Sequence, residues 1–359
     1  MTYCSRESIF VGCRYKTYVT LIEGIMKAVI VDAAGDPKDV VKLGDVDEPI
    51  SKSGEAIVRV TKRVVHAADH QAVRGVLSRQ FFSEQGIPGI DGVGVIESFG
   101  TEALADQQFA VGSRVGFYPT RGTWAERVAM PLGTLVQLPD DIGDAVLSQL
   151  LTNGMAALLL LSAAIQANGE TGKDRPILVS AATSTVGRIF MTLAAIQNRK
   201  VIGLVRRGDA VDAIQHDFPG TAAINTSVSD WQDRLKAAAG GDIGVVVDPV
   251  GGALLPALLG VLAPSGTAIV YGGLDPRPSP ISTLLITARG LTIKGLSSAG
   301  LASAMPAAER AACFKEIFEA ARQKPHIFDV ETEYPLAEAA RAVELSEVGP
   351  RRGAIILTS

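Results

Sequence analysis

A run of small residues between two apolar segments, followed by a pair of arginines, has the clearest chemical meaning in this chain. The apolar segment Ile177–Val179 is followed by small residues over 180–187, and the second apolar segment, Val201–Val205, ends on Arg206 and Arg207. Backbone N–H groups in such a turn can bind a phosphate when a helix begins there. Arginine at the end of the second strand, where an acid would bind a ribose diol, favours a ligand with a 2′-phosphate.

The elements around the turn have the order of a dinucleotide-binding unit. Apolar residues at helical spacing predict a helix over 186–197, and they are Ile189, Phe190, Leu193 and Ile196. A strand, a turn, a helix and a second strand bind the pyrophosphate of a dinucleotide in many folds. Only Gly187 of the usual three glycines is kept, since Ala181 and Ser184 stand at the other two positions. An ordinary crossover connection with small residues for packing is the alternative interpretation.

Composition and charge limit the class of protein. The chain has 359 residues, of which 47% are hydrophobic and 20% charged, so it can form two globular domains. A net charge of −4 without a run of basic residues argues against nucleic acid or an anionic membrane as the main partner. The longest apolar stretch, 155–165, is too short to span a bilayer. The 3 cysteines predict no disulfide framework, and we expect a cytoplasmic location.

The pattern of elements predicts two domains and an N-terminal extension. Residues 1–25 lack the continuous apolar core of a signal peptide and are interpreted as an extension. Strand-like runs interrupted by Gly and Pro then predict a β-barrel, and they lie at 28–31, 56–65, 93–99, 114–117 and 125–130. We assign 26–145 and 297–359 to this barrel domain, because a last strand at 353–357 is expected to return to it.

Residues 146–296 are assigned to a nucleotide-binding domain. Its predicted strands lie at 177–180, 201–205, 222–224, 244–248, 267–271 and 291–296. Its predicted helices between them lie at 186–197, 209–216, 229–238, 251–261 and 282–289. Strands that alternate with helices in this way indicate an α/β fold with a doubly wound parallel sheet.

Several segments carry a family resemblance that extends over nearly all of the chain from Met26 to Leu357. They are His66–Asp69 with Arg74 and Gly75, 88–95, 122–126, 180–188, 248–252 and 271–273. On these segments the chain resembles the zinc-independent branch of the medium-chain dehydrogenase/reductase superfamily, among quinone oxidoreductases and 2-enoyl thioester reductases. The resemblance implies a GroES-like β-barrel catalytic domain, a Rossmann domain and NADPH. It also implies a homodimer formed partly by the last strands of the two cofactor sheets.

The predicted cofactor contacts follow three strands of the nucleotide-binding sheet, because ligands of such sheets lie at the carboxyl ends of the strands. Around the first turn they are Thr183, Ser184, Thr185, Val186 and Gly187. The others are Pro249, Val250, Tyr271, Gly272 and Gly273, with Asn153 from the segment that resembles the reductases' Asn-Pro-x-Thr-Ala. Arg206 is the first candidate to bind the 2′-phosphate, and Arg207 is the second. Tight turns and two solvated arginines are the alternative.

No metal is expected in this chain. An open zinc site needs three protein ligands, and zinc-using relatives supply a Cys, a His and a carboxylate. Here the first position is His66, and the usual His-Glu pair is replaced by Ile90 and Asp91. We interpret His66, Asp69 and His70 as solvated loop residues rather than as a weak metal site.

The predicted reaction is hydride transfer from NADPH to a small-molecule electron acceptor, either a quinone or an α,β-unsaturated carbonyl compound. The cofactor carries the chemistry, while His66 or Tyr118 could meet the negative charge that develops on the acceptor oxygen. Trp124, in the same loop as Tyr118, is a third candidate unless it is a core aromatic. A 2-enoyl thioester reductase is the alternative enzyme, although Leu77 and Ala156 replace its usual Tyr and Thr. A structural or RNA-associated cofactor-binding protein is the alternative of another class.

Overall fold

The structure is a computed structural model that describes residues 24–78, 81–100, 108–169, 172–348 and 353–359. The predicted extension at 1–25 lies, except for its last two residues, outside the described residues. From the start to residue 169 the strands are β1 (Ile25–Val31), β2 (Val41–Asp47), β3 (Glu55–Val64), β4 (Gly92–Phe99), β5 (Arg114–Phe117), β6 (Arg127–Pro131) and β7 (Leu135–Gln137). The helices of this part are α1 (Pro37–Val40), α2 (Ala67–Val73), α3 (Asp144–Leu150) and α4 (Thr152–Asn168).

Strands and helices alternate regularly in the next part of the chain. The strands are β8 (Ile177–Val179), β9 (Val201–Val205), β10 (Ala222–Asn225), β11 (Val245–Asp248), β12 (Thr267–Val270) and β13 (Thr292–Gly295). The helices are α5 (Thr185–Ile196), α6 (Gly208–Asp217), α7 (Trp231–Ala239), α8 (Leu254–Val261) and α9 (Thr283–Arg289). The C-terminal elements are α10 (Ser298–Ala304), α11 (Ala307–Gln323), β14 (Val330–Pro335), α12 (Ala339–Glu347) and β15 (Ala354–Thr358).

The six strands β8 to β13 form one parallel sheet in the order β10-β9-β8-β11-β12-β13. This is the doubly wound order, in which the chain direction across the sheet reverses between β8 and β11. Helices cover both faces, so β8, β9 and β11 are buried along their whole length and consist almost entirely of Val, Ile and Leu. The predicted α/β fold is confirmed, and the predicted strands differ from the observed ones only by a residue or two at their ends.

The barrel domain contains a seven-stranded sheet in the order β14-β15-β3-β4-β5-β7, with β6 paired to β3, and a separate β1-β2 pair. As expected, the last strand returns to this domain, because β15 pairs antiparallel with β3. Alternate residues of these strands and Trp124 fill its apolar core.

Helices α10 and α11 fall within the range 297–359 but pack against the nucleotide-binding domain. Phe314, Ile317 and Phe318 of α11 share a core with α4 and α5. At Gly154 in α4, an added Cβ would lie 2.5 Å from a methyl group of Ile317, so the absence of a side chain there allows α11 to approach. Helix α4 therefore lies in the core of the nucleotide-binding domain, while its first turn faces the barrel.

Among the described residues, no single helix is long and apolar enough to cross a membrane, although the bent pair α3 and α4 together meets the length and composition criteria.

Candidate functional site: a dinucleotide cleft beside a buried His–Asp pair

The turn after β8 keeps the geometry of a phosphate-binding loop without its first two glycines. Ala181 adopts a positive φ of 49°, a conformation that glycine normally supplies. Ser184 caps α5, because its hydroxyl accepts a hydrogen bond from the backbone N–H of Gly187 at 3.1 Å. An added Cβ at Gly187 would lie 2.7 Å from the carbonyl oxygen of Ala182, so this glycine is required for close packing of the helix on the strand.

Half-buried side chains surround the start of α5, and they are Thr183, Ser184, Thr185 and Val186. Tyr271, at the end of β12, is within hydrogen-bonding reach of Ser184. Burial raises the pKa of the Tyr271 phenol well above its usual value, the charge of Asp248 raises it further, and the phenol stays protonated. The structure thus brings the predicted residues of the first turn together with Tyr271.

Asp248, the last residue of β11, binds the turn that follows β11 and also the end of β8. Its buried carboxylate accepts hydrogen bonds from the backbone N–H of Val250 at 3.1 Å and of Gly251 at 2.9 Å, and also from the hydroxyl of Ser180. At Gly272 an added Cβ would lie 3.0 Å from the carbonyl oxygen of Pro249. The turns after β8, β11 and β12 therefore meet at one edge of the sheet.

The two arginines after β9 differ in their partners. Arg207 donates to Asp209 at 2.8 Å, so its charge is already paired. Arg206 is exposed and has no side-chain hydrogen bond or ion pair with the described part of the chain. A solvated guanidinium without a partner in the described part of the chain can bind an anion, whereas the charge of Arg207 is shared with Asp209.

His66 and Asp91 form a buried pair between the two domains. The Nε2 atom of His66 lies 2.9 Å from Oδ1 of Asp91, and the two side chains are only 6% and 1% exposed. Burial alone lowers the pKa of His66, but attraction to Asp91 and Asp69 and hydrogen bonds with Asp91 and Asn153 together raise it from 6.5 to about 9. The imidazole is therefore protonated at neutral pH.

The interpretation of His66, Asp69 and His70 as solvated loop residues is wrong, because His66 directly precedes α2, the other two lie within α2, and the side chain of His70 is only 18% exposed. Asp69 is 2% exposed, and its carboxylate accepts a hydrogen bond from the backbone N–H of His66 at 2.8 Å. Burial raises the pKa of Asp69 to about 6 against the opposing attraction of His66. The reason is that α2 begins after His66, and the side chains of His66 and Asp69 both point inward. No group of three His, Cys, Asp or Glu side chains in the described ranges is arranged to hold a metal ion.

The two aromatic candidates are buried in different places. Tyr118 is fully buried, and burial raises the pKa of its phenol to about 12, with the neighbouring Ser298 lowering it and the charge of Asp91 raising it. Trp124 is also fully buried but belongs to the barrel core, where its ring packs against the backbone of Gly89. Trp124 therefore does not line the cleft, and of its two interpretations the structure supports the core aromatic.

Two contacts across the cleft were not predicted from the sequence. Nε2 of Gln71, in α2, donates to the carbonyl oxygen of Gly273 at 2.8 Å and so connects the barrel domain to the end of β12. Asp91 Oδ2 accepts a hydrogen bond from the backbone N–H of Thr152 at 3.0 Å, at the start of α4. No local sequence signal identifies either contact, because each pair is separated by more than 60 residues.

Comparison with known proteins agrees with this architecture. Residues 52–140 match the alcohol dehydrogenase GroES-like domain and residues 185–312 match the zinc-binding dehydrogenase model, which together cover more than half of the chain. The chain is 23% identical over 318 residues to the mitochondrial enoyl-acyl-carrier-protein reductase of Dictyostelium discoideum, with 83% of this chain and 85% of the relative aligned.

Two solved structures share the fold. The quinone oxidoreductase of Pseudomonas syringae has 22% identity and a TM-score of 0.81, and the comparison covers 93% of this chain and 100% of that one. The Escherichia coli quinone oxidoreductase complexed with NADPH has 20% identity and a TM-score of 0.79, with the same coverage of 93% and 100%. On the two family models and the architecture, the chain belongs to the medium-chain dehydrogenase/reductase superfamily.

Proposed function

We propose that this protein is an NADPH-dependent, zinc-free reductase that transfers hydride to a quinone or an α,β-unsaturated carbonyl compound. One observation carries the proposal: the turn before α5, Arg206 and the end of β12 lie at the same edge of the parallel sheet, and Arg206 has no side-chain partner among the described residues. A cytoplasmic location, expected from the cysteines, stays a prediction.

The residues at this edge fit a phosphorylated dinucleotide. The N–H groups of Thr185 and Val186, which have no partner among the described residues, and the hydroxyls of Ser184 and Thr185 suit a pyrophosphate. An added Cβ at Gly273 would meet no atom within 4 Å, which leaves room for a ring beside the end of β12. Arg206 is placed one strand further along and would hold the 2′-phosphate. NADPH supplies the hydride when bound, and the chain contributes binding, orientation and charge.

The positive charge of His66 takes the place of a metal ion in this proposal. The resemblance places His66 and Asp91 at positions where zinc-using relatives have ligands, and here the two side chains bind each other instead. A buried imidazolium stabilises negative charge that develops on the acceptor oxygen. Tyr118, kept as a phenol by burial near Asp91, is the second group that could meet this charge.

A 2-enoyl thioester is the second acceptor class to be tested. The likeness to an enoyl-acyl-carrier-protein reductase favours it. Leu77, half-buried against the barrel core, and the buried Ala156 argue against it, because the side chains expected from the resemblance at these positions are Tyr and Thr. NADPH oxidation followed in parallel with quinones, simple enones and 2-enoyl thioesters distinguishes the classes. Turnover confined to thioesters would reject the leading proposal, and no turnover would favour a binding protein.

Arg206→Glu tests the cofactor. Loss of a hydrogen bond to a charged group costs about 1.5–3 kcal/mol, so the affinity for NADPH should fall about 10- to 100-fold while that for NADH stays nearly constant. Arg207→Glu is the matched control, since Arg207 is already paired with Asp209 and its replacement should have a much smaller effect. Equal affinities of the wild-type protein for NADPH and NADH by fluorescence titration would overturn the assignment.

We also propose a homodimer formed through β13. This strand is at the edge of the parallel sheet, and all four of its residues are exposed. An exposed edge strand presents unpaired backbone groups on which a second copy can pair. Ile293, 38% exposed, lies at its centre. Ile293→Asp should convert a dimer to a monomer in light scattering, whereas a monomeric wild-type protein would contradict the proposal.

A further inference from the structure

Asp91 is contacted by three segments that are far apart in the chain. Its carboxylate accepts from His66 Nε2 at 2.9 Å and from the backbone N–H of Thr152 at 3.0 Å. Its carbonyl oxygen accepts from the hydroxyl of Thr123 at 2.7 Å. Both carboxylate oxygens therefore have a partner within the protein, and the side chain is only 1% exposed.

The contact with Thr152 caps helix α4. The first N–H groups of a helix have no intrahelical partner, and the residue that precedes α4, Leu151, provides no side-chain hydrogen bond. A carboxylate at this end satisfies one N–H and also interacts favourably with the helix dipole. Because α4 packs in the core of the nucleotide-binding domain, Asp91 links this domain to the barrel.

The residue that follows Thr152 in α4 also contacts His66. Asn153 hydrogen-bonds the imidazole of His66 and donates its own Nδ2 to the carbonyl oxygen of Gln149 at 3.1 Å. Because a protonated imidazole only donates, Oδ1 of Asn153 is the atom that accepts from His66. We call the set of Asp91, His66, Thr152 and Asn153 the Asp91 bridge.

We propose that Asp91 is a positioning residue of the reductase, whose carboxylate fixes the imidazolium of His66 relative to the start of α4. This inference rests on the proposed function and deepens it. A displacement of about 1 Å at a reacting centre can cost about 100-fold in rate, so one shared carboxylate that fixes both domains has a direct kinetic consequence.

The central variant is Asp91→Asn, which keeps the side-chain volume and removes the charge. Turnover should fall about 100-fold while the dissociation constant for NADPH changes less than about twofold. The matched control is Asp144→Asn, which removes a carboxylate at the start of α3 that accepts from Arg114 at 2.7 Å and from Thr61 at 3.0 Å. This variant should lower the free energy of unfolding while turnover stays unchanged.

A readout without cofactor separates positioning from simple stabilisation. Asp91 and Asp69 are the titratable groups that face His66, and Tyr118 faces Asp91. The chain has four histidines, so the ring protons of His66 can be assigned by NMR with His66→Gln. Loss of Asp91 should move the titration of His66 to lower pH by at least about one unit, because the largest attraction to its charge is gone. The upper limb of the pH–rate profile should move with it.

Asp91→Glu keeps the inference testable if the Asn variant does not fold. The longer carboxylate should retain the high pH of the His66 titration but lower turnover, since it keeps the charge and changes the distance. An unchanged titration and turnover in Asp91→Asn, with a loss of stability alone, would overturn the inference. A wild-type protein without any NADPH-dependent turnover would instead overturn the proposed function, and this inference with it.

Discussion

The proton on His66 makes the stability of this protein depend on pH above neutrality. The pKa of His66 is 6.5 in the unfolded chain and about 9 in the folded protein. Between these values the folded state holds a proton that the unfolded chain has released, so stability falls as the pH rises. The contribution is fully present below about pH 6.5 and is lost through about pH 9. The difference between these two pKa values corresponds to about 3 kcal/mol.

His66→Gln is the perturbation that isolates this contribution. The amide of glutamine can still donate to Asp91 but does not titrate, so the variant should lack the fall of about 3 kcal/mol between pH 6.5 and 9.5. The titration of Asp69 does not affect the comparison. Its pKa is raised from 3.8 to about 6, so its contribution to the pH dependence of stability lies below pH 6.5. The contrast between variant and wild type is therefore attributable to the imidazole.

The assay is equilibrium unfolding by urea at pH 6.5, 8 and 9.5, from which the free energy of unfolding is extrapolated. His326→Gln is the control, since this imidazole is 52% exposed and its Nε2 lies 4.0 Å from Asp217. Its variant should retain the pH dependence of the wild-type protein. If wild type and His66→Gln lose stability equally between pH 6.5 and 9.5, the assignment of a buried imidazolium is refuted.

Two further predictions concern the turn and the cleft. Gly187→Ala should lower the free energy of unfolding by about 1–3 kcal/mol, because the new Cβ would lie 2.7 Å from the carbonyl oxygen of Ala182. Gly260→Ala, in an exposed turn of α8 with no atom within 4 Å of the new Cβ, should instead raise it by up to about 1 kcal/mol; equal effects in chemical denaturation would contradict the packing argument. Gln71→Ala should weaken NADPH binding about 2- to 10-fold in fluorescence titration through loss of its bond across the cleft. Gln197→Ala, which loses a surface bond of 3.0 Å to Glu316, should leave binding unchanged, and a similar loss in both variants would argue against a role for Gln71.

Much of the fold follows from local patterns. Buried strands such as β9 and β11 appear as uninterrupted apolar runs because helices cover both faces of a parallel sheet. Shorter elements of the barrel domain were not predicted, among them β7 with three residues, β14 and α2. Strand β14 forms by pairing with β15, in which the partner residues lie 23 or 24 positions further along the chain. None of its six residues is buried, so it lacks the apolar run by which the buried strands were recognised.

The residues of the candidate site also differ in whether local sequence or distant contacts determine their arrangement. The turn residues before α5 and the pair Arg206 and Arg207 are candidates that a contiguous segment provides, because phosphate binding depends on consecutive backbone groups and on the end of the next strand. That Arg207 is paired follows only from its side-chain contact with Asp209. Trp124 and Tyr118 lie six residues apart in one loop, yet only their packing shows that one belongs to the barrel core and the other lies near Asp91.

The sequence by itself determined the order of the elements, the nucleotide-binding unit and the residues that could bind an anion, since each depends on neighbours within one βαβ segment. Tertiary structure alone decided that His66 is buried beside carboxylates that raise its pKa. Its partner Asp91 is 25 residues away, and Thr152, which fixes that partner, lies a further 61 residues along the chain. Removal from water and the charges brought close by folding set the state of a titratable group, and neither is written in its local sequence.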